Sequence, residues 1–338
     1  VRAVLRLGAL AAVVLALGFT GLFFPWQGVR DSPISLAAWA GAMLVLTYGA
    51  YSALSVSHQS WGAMLGGNEV QRSRIVAWRE GLGLVGVVVA SITPVALGLP
   101  ATTALFFIAL LLGWLAWSRA PRPVSRRTAQ QPAADAIWQP LRSSTFRRLL
   151  LVFMLNGIAS AVPATLVLFF IQDRLQAPAR MEPLFLGSYF VCAALALPLW
   201  LQVVARLGLA RTWGIGMALA LSVFGFASQL GTGDSLAFLL VCALSGVAMA
   251  TDLALPAALL NGQIEAQGDR GQREGAYFGW WAFATKLNLA LAAGLALPLL
   301  GAFGYAPGTR DAQALTTLTW AYCLLPCALK LAAAVTLY

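Results

Sequence analysis

Charged residues are scarce in this sequence: 10% of the 338 residues are Asp, Glu, Lys or Arg, while 60% are hydrophobic. A soluble domain carries about 25% charged residues, so this chain could not cover a water-facing surface. The same figures exclude an intrinsically disordered chain, which has low hydrophobicity. The composition therefore predicts an all-α, polytopic membrane protein whose apolar side chains face lipid or neighbouring helices.

Motifs for enzymatic or metal chemistry are absent. The chain has one histidine, His58, and its four cysteines lie in apolar runs without metal-ligand spacing. It contains neither HExxH nor the phosphate-binding GxxxxGK[ST] pattern. We therefore expect no enzyme activity, no metal site, no disulfide framework and no organic cofactor. Energy for any transport would have to come from an ion gradient, with Na⁺ or H⁺ as the coupling ion.

Lysine is nearly missing as well: 20 of the 22 basic residues are arginines. They fall mainly in short connectors between apolar runs, which is a topology signal for membrane insertion rather than a basic face for nucleic acid. Nucleic acid is therefore not an expected partner, and the lipid bilayer is. The sequence carries no signal for an oligomeric state.

Ten apolar runs are long enough to cross a bilayer, which takes about 20 residues each. The stretch 81–117 is too long for one span, and Pro94 with the Gly98-Leu99-Pro100 turn divides it into two. The predicted spans are 5–25, 36–62, 75–98, 101–118, 148–172, 184–205, 211–231, 235–261, 277–299 and 313–336.

The arginines of alternate connectors predict the orientation. Sixteen lie on one side of the membrane, in the N-terminus, the loops 63–79 and 262–276, the central segment and the 206–211 turn, against four on the other side. The positive-inside rule places the first set in the cytoplasm, so both ends are predicted to be cytoplasmic in a cell (inner) membrane.

A polar, Pro- and Arg-rich stretch at 119–147 predicts a cytoplasmic linker. It separates an N-terminal bundle (1–118, four helices) from a C-terminal bundle (148–338, six helices). Transporters are often built from two similar halves. The 4 + 6 division therefore led us to expect that about two helices precede Val1. A truncated, transport-inactive membrane protein is the alternative.

Polar residues inside the spans are the functional candidates. Tyr48, Tyr51, Ser55 and His58 follow helical spacing in the second span, with Gln59 beside them. This stripe lines a cavity or joins neighbouring helices by hydrogen bonds. Because imidazole titrates near neutral pH, His58 is also a candidate proton carrier.

Three ionisable residues lie within the spans of the second half of the chain: Asp252 and Lys286 inside their spans, and Lys330 near the cytoplasmic end of the last one. Asp252 precedes Pro256, which frees a backbone carbonyl, and Lys286 lies about 15 Å into its span at 1.5 Å per residue. We expect Lys286 to pair with Asp252, either as a structural pair or as part of the transport path. Lys330 is expected to reach the interface by snorkelling.

Four more residues are candidate substrate contacts. Arg79 either snorkels or offers its guanidinium to a cavity, and Asn156 and Asn288 could add hydrogen bonds. Trp281 either stacks on a sugar ring or belongs to an interfacial aromatic belt.

Two stretches resemble the glycoside–pentoside–hexuronide:cation symporters, the melibiose-carrier-like branch of the major facilitator superfamily. They are residues 51–80 and the segment with DLALPAALLN (252–261), REGAYFGWWAFATK (273–286) and GYAPG (304–308). The resemblance covers the chain from the family's third helix onward. It implies a two-bundle transporter that binds a sugar with a tyrosine, an arginine and a lysine, which match Tyr51, Arg79 and Lys286.

Departures from the family pattern leave the coupling ion open. Ser55 stands where the melibiose carriers have an aspartate, and Gln59 where they have a tryptophan. The family's main cation-binding carboxylates lie on its first two helices. The predicted function is cation-coupled sugar or glycoside symport, with a lysolipid or amphiphile carrier as the alternative. The substrate candidates are Tyr51, Gln59, Arg79, Asn156, Trp281, Lys286 and Asn288, and the ion-coupling candidates are His58, Asp252 and Lys286.

Overall fold

The computed structural model describes residues 2–65, 67–122, 137–270 and 272–338, and this part of the chain contains ten long apolar helices. Each is long enough to cross a membrane. They are α1 (Ala3–Phe23), α2 (Pro33–Leu65), α3 (Glu69–Pro94), α4 (Ala96–Arg119), α5 (Ser144–Arg174), α6 (Ala179–Leu207), α7 (Leu209–Ala227), α8 (Ser235–Ala266), α9 (Glu274–Ala302) and α10 (Ala312–Leu337). The prediction of an all-α protein with ten spans is confirmed.

The stretch from α3 into α4 departs from helical geometry at a single residue, Gly98, which lies just inside α4. Helical backbone runs from Glu69 to Arg119 except at Gly98, whose φ of 79° and ψ of 167° lie outside the helical region. Glycine adopts a positive φ without the Cβ clash that other residues meet, and Pro100 two residues later lacks a donor N–H. The predicted division of this long apolar stretch is confirmed.

Two connectors that the arginine distribution predicts to be cytoplasmic are shorter than expected. The loops predicted at 63–79 and 262–276 are largely helical, because α3 already begins at Glu69 and α8 continues to Ala266. Hydropathy marks only the part of a helix that crosses the apolar core. Polar turns at either end satisfy their own backbone hydrogen bonds and extend the helix beyond it.

The predicted linker at 119–147 lies mostly outside the described residues, since 123–136 are not among them. Towards its C-terminal end, the linker region contains a 3₁₀ turn at Gln139–Arg142. Ser143 then caps α5 by accepting a hydrogen bond from the backbone N–H of Phe146 at 3.3 Å. The predicted boundaries of the two bundles stay a prediction.

The described helices form two compact units. The first consists of Val1–Gly66, Gly83–Gln130 and Asp269–Gly279, and the second of Gly67–Leu82, Gln131–Gly268 and Trp280–Tyr338. In the first unit α1 packs along α2. The indole N–H of Trp61 donates to the carbonyl of Pro121 at 3.1 Å, and the Trp61 ring meets Trp117 edge to face.

Aromatic packing builds the core of the second unit. Phe170 of α5 stacks on Tyr322 of α10 at 4.2 Å, and Phe185 of α6 meets Phe238 of α8 edge to face at 5.1 Å. Close approach of the backbones adds to it: a Cβ on Gly246 of α8 would overlap the carbonyl oxygen of Tyr189 in α6. Small residues allow such approaches, and van der Waals packing is what holds helices together in lipid.

A buried carboxylate ties the connector between α9 and α10 to the end of α5. Asp173 accepts hydrogen bonds from the Tyr305 hydroxyl at 2.6 Å and from the Gly308 N–H at 2.9 Å. Arg310 lies 3.6 Å from the same carboxylate. Burial, and after it the hydrogen bond to Asp173, raises the pKa of Tyr305.

We expect Gly246→Ala to lower the stability of the protein by about 1–3 kcal/mol, because the new methyl group has to displace the α6 backbone. The measurement is thermal unfolding in detergent. Gly225→Ala is the matched control, since nothing lies within 4 Å of a Cβ at that helical position. Equal unfolding temperatures for the two variants would contradict the close packing of α6 on α8.

Tyr305→Phe should destabilise the protein by about 1–3 kcal/mol through loss of the hydrogen bond to Asp173. Because the pKa of Tyr305 is raised in the folded protein, this residue also stabilises the fold below a pH of about 10. That contribution is lost as the pH rises further, since the phenol of the unfolded chain loses its proton at a lower pH than that of the folded chain. Unfolding temperatures at pH 8 and pH 10.5 should therefore differ less in the variant than in the wild type. The control is Tyr338→Phe, whose parent hydroxyl is exposed; an equal change there would refute the assignment.

Candidate functional site

Asp252 of α8 is the centre of a polar cluster inside the second unit. Its Oδ1 accepts a hydrogen bond from the indole N–H of Trp213 at 2.9 Å. Its Oδ2 lies 2.8 Å from the ammonium nitrogen of Lys330 and accepts from the Ser160 hydroxyl at 3.3 Å. Both carboxylate oxygens are thus used, which removes much of the cost of burying this charge.

Local packing brings α7 and α8 close enough for these contacts. Gly216 of α7 leaves room for Thr251 of α8, whose methyl and hydroxyl would overlap any Cβ at that position. The Thr251 hydroxyl donates a hydrogen bond to the carbonyl of Ala248 at 2.7 Å, within its own helix. The next residue, Asp252, is thereby within reach of Trp213, which lies about one turn before Gly216.

Lys330 of α10 is buried, with only 3% of its surface exposed. Besides Asp252 it donates to the carboxamide oxygen of Asn156 at 2.7 Å. The expectation that Lys330 snorkels to the interface is wrong, and so is Lys286 as the ion-pair partner of Asp252. The π-helical turn at Trp320–Leu324 changes the face that the following residues present, and Lys330 points to α5 and α8 rather than to the interface.

A cavity of ≈ 180 Å³ adjoins this cluster. Its polar wall comes from Asp252, Lys330, Ser160 and Ser245. Aliphatic side chains and aromatic ones such as Tyr189 line the rest. The hydroxyl oxygen of Ser245 is buried and has no hydrogen-bond partner among the described residues. A cavity with a few converging polar groups in an apolar wall is typical of a small-molecule site.

A second polar position lies where α9 meets α5. The amide of Asn288 packs against Gly157, where a Cβ would overlap it, and its buried carbonyl oxygen has no partner among the described residues. Two turns earlier in α9, Trp281 stacks on Phe153, with the ring centroids 3.8 Å apart and the ring planes at 22°. One face of Trp281 is therefore already covered, and Lys286 is half-buried on the same helix.

Arg79 is engaged in an ion pair. Its Nη2 and Nε atoms lie 2.7 and 2.9 Å from one carboxylate oxygen of the neighbouring Glu80. Elsewhere in the second unit Arg72 pairs with Glu265. The Arg72–Glu265 pair connects the first turns of α3 to α8 within that unit.

The polar stripe of α2 belongs to the first unit. Tyr51 is 53% exposed and Tyr48 is also exposed. His58 places its ring edge to face against Trp117 at 5.6 Å, and Gln59 is half-buried beside it.

Two of the residues predicted from the sequence, Asp252 and Asn156, meet in the second unit. Lys330 connects them, because its ammonium group contacts both. Lys330 is a functional candidate that sequence reasoning missed. The signal for it was present, because Lys330 is one of two lysines in the chain and lies, like Lys286, inside an apolar run. The role of each candidate in binding substrate or ion stays a prediction.

The model of the family described as MFS/sugar transport protein matches residues 9–338. The chain belongs to this family. It is therefore a transporter of small molecules rather than an enzyme, and it lies in a membrane with several spans. The resemblance to glycoside–pentoside–hexuronide symporters is confirmed at the level of this MFS/sugar transport family.

Solved structures with the same fold include three membrane transporters. A bacterial homologue of the iron transporter ferroportin has a TM-score of 0.72 and 17% identity, with 99% of this chain and 82% of that chain covered. The E. coli fucose:proton symporter has a TM-score of 0.69 and 12% identity over 98% and 84%. A human organic anion transporter has a TM-score of 0.68 and 17% identity over 99% and 77%.

At these identities the likeness is one of fold alone. Among curated proteins, no sequence relative matches this chain.

Removing one partner of the buried ion pair should cost more than removing both. Lys330→Met leaves the Asp252 carboxylate unpaired and is expected to destabilise this MFS/sugar transport family member by about 3–5 kcal/mol. The double variant Asp252→Leu, Lys330→Met should regain most of that loss, because no isolated charge remains. Thermal unfolding of the two single variants and the double variant measures the coupling. Purely additive losses would show that the two side chains do not act as a pair.

Proposed function

We propose that this member of the MFS/sugar transport family is a secondary active transporter that carries a sugar or glycoside together with a cation by alternating access. The observation that carries the proposal is the Asp252–Lys330 pair, held at 2.8 Å within the membrane-spanning helices and open to a cavity. Ionisable residues at such positions are rare, and they mark substrate and ion pathways.

A sugar substrate is supported by side-chain amides in the spans whose hydrogen-bonding atoms are not all paired within the protein. The carbonyl oxygen of Asn288 has no partner among the described residues. Asn156 accepts a hydrogen bond from Lys330 through its carboxamide oxygen, and its amide N–H groups are donors. Neutral amides and hydroxyls suit the alternating donors and acceptors of a sugar. In this proposal Tyr51, Gln59, Arg79, Trp281 and Lys286 are the further substrate contacts.

Coupling to a cation is supported by charge and by the sequence. The chain has no nucleotide-binding motif, so an ion gradient is the available energy source. In this proposal H⁺ or Na⁺ couples through His58, Asp252 or Lys286. The excess of arginine in alternate connectors supports an inner-membrane orientation with both ends cytoplasmic.

An apolar crevice favours a second candidate, a carrier of lysolipids or other amphiphiles. The crevice measures ≈ 760 Å³ and is lined by side chains of α5, α9 and α10, among them Ile158, Leu295 and Trp320. Its wall is almost wholly apolar and suits an acyl chain rather than a hydroxylated ring.

Uptake into proteoliposomes tests the proposal. Labelled glycosides, pentosides, hexuronides and lysolipids are offered to the full-length protein with an inward Na⁺ gradient, an inward H⁺ gradient or neither. We expect one sugar class to accumulate with one gradient only. Entry of lysolipid without any sugar would establish the second candidate, and absence of uptake for the whole panel would refute both.

Lys286→Ala and Arg79→Ala are expected to lower the uptake rate about 10- to 100-fold, the loss that corresponds to one hydrogen bond to a charged group. Both variants should still reach the membrane. Arg180→Ala is the matched control, because it removes an exposed cation outside the proposed site. Wild-type uptake by Lys286→Ala would remove Lys286 from the substrate contacts.

A further inference from the structure

The oxygens around Lys330 are arranged as a site for one positive charge. Asp252 Oδ2 and Asn156 Oδ1 lie 2.8 and 2.7 Å from the ammonium nitrogen, and the Ser160 hydroxyl contacts the same Oδ2. We propose that Asp252, Asn156 and Ser160 form a binding site for a monovalent cation, and that the side chain of Lys330 is the cation that fills it.

The charges and donors around the carboxylate point to this assignment. Trp213 takes up Oδ1 as an uncharged donor, so Oδ2 is the oxygen left for a cation. Apart from Lys330, none of these partners is charged, so the site without the ammonium group would hold one net negative charge. A buried unpaired carboxylate is costly, and a cation from solution would lower that cost just as Lys330 does.

Further oxygens and space are available beside the site. Pro256 has no N–H, so the carbonyl of Asp252 lacks the donor that an uninterrupted helix would supply. Lys330 also lines the ≈ 180 Å³ cavity. Asp252 lines the same cavity, so shortening the Lys330 side chain would enlarge the space beside the carboxylate and admit a cation with part of its water.

Charge balance at this site then needs no ion from solution. A coupling cation has either to displace the Lys330 ammonium from Asp252 or to bind at other residues. This inference concerns what the site binds and does not depend on whether a sugar is the transported substrate.

Chemical rescue of Lys330→Ala tests the proposal. The substitution removes three methylenes and the ammonium group, which is the shape of n-propylammonium. We expect the purified variant in choline chloride to unfold at a lower temperature than the wild type. n-Propylammonium chloride or NaCl at equal ionic strength should raise its unfolding temperature by about 3 °C or more. The wild type should show no such difference between the salts.

Two controls separate a cation site from general salt or solvent effects. 1-Propanol, which has nearly the same shape without the charge, should not stabilise Lys330→Ala. The double variant Asp252→Ala, Lys330→Ala should respond to none of the cations, because the carboxylate is gone. If neither n-propylammonium nor Na⁺ stabilises Lys330→Ala over choline, the proposal is overturned.

Removing the carboxylate instead of the ammonium group provides a second test if Lys330→Ala does not fold. Asp252→Ala leaves the Lys330 ammonium without its carboxylate, and formate replaces the group that was removed. Sodium formate should then raise the unfolding temperature of Asp252→Ala above its value in sodium chloride, with no such rise in the wild type. Equal unfolding temperatures in the two salts would mean that the pair does not form an exchangeable charge site.

Discussion

The Asp252–Lys330 pair imposes the strongest constraint on the second unit. A carboxylate or an ammonium group alone within a lipid-embedded bundle would be prohibitively costly, whereas the two together, hydrogen-bonded to neutral partners, are tolerated. The pair therefore requires that the Lys330 side chain of α10 reaches α8, while α10 itself packs on α5 and α7, which supply Asn156 and Trp213. Side chains of four helices thus meet at this one cluster.

Close backbone approaches make that arrangement possible. Gly216 lets α7 press against Thr251, and Gly246 lets α8 press against the backbone of α6. Both positions lie on the helices that carry the charge cluster or touch them. In lipid the hydrophobic effect does not bring helices together, so such small residues, with the aromatic stacking around Phe170 and Tyr322, have to supply the packing.

Much of the fold could be predicted from the sequence, because a span is a local property. All ten helices were expected, and so was the break at Gly98, since hydropathy and proline chemistry act within a few residues. The ends of helices were less predictable. Glu69 and Ala266 lie in turns that are polar and still helical, and no hydropathy signal distinguishes such turns from loops.

The sequence by itself determined that ten helices in the described part of the chain can cross a membrane, that the chain transports rather than catalyses, and that a few ionisable residues lie in its spans. Only the tertiary structure decided which of them meet. Asp252 and Lys330 are 78 residues apart, and the rotation of α10 about its axis depends on a π-helical turn that the composition does not reveal. Pairing is a property of which helix faces touch, and that is fixed by packing between distant segments rather than by local sequence.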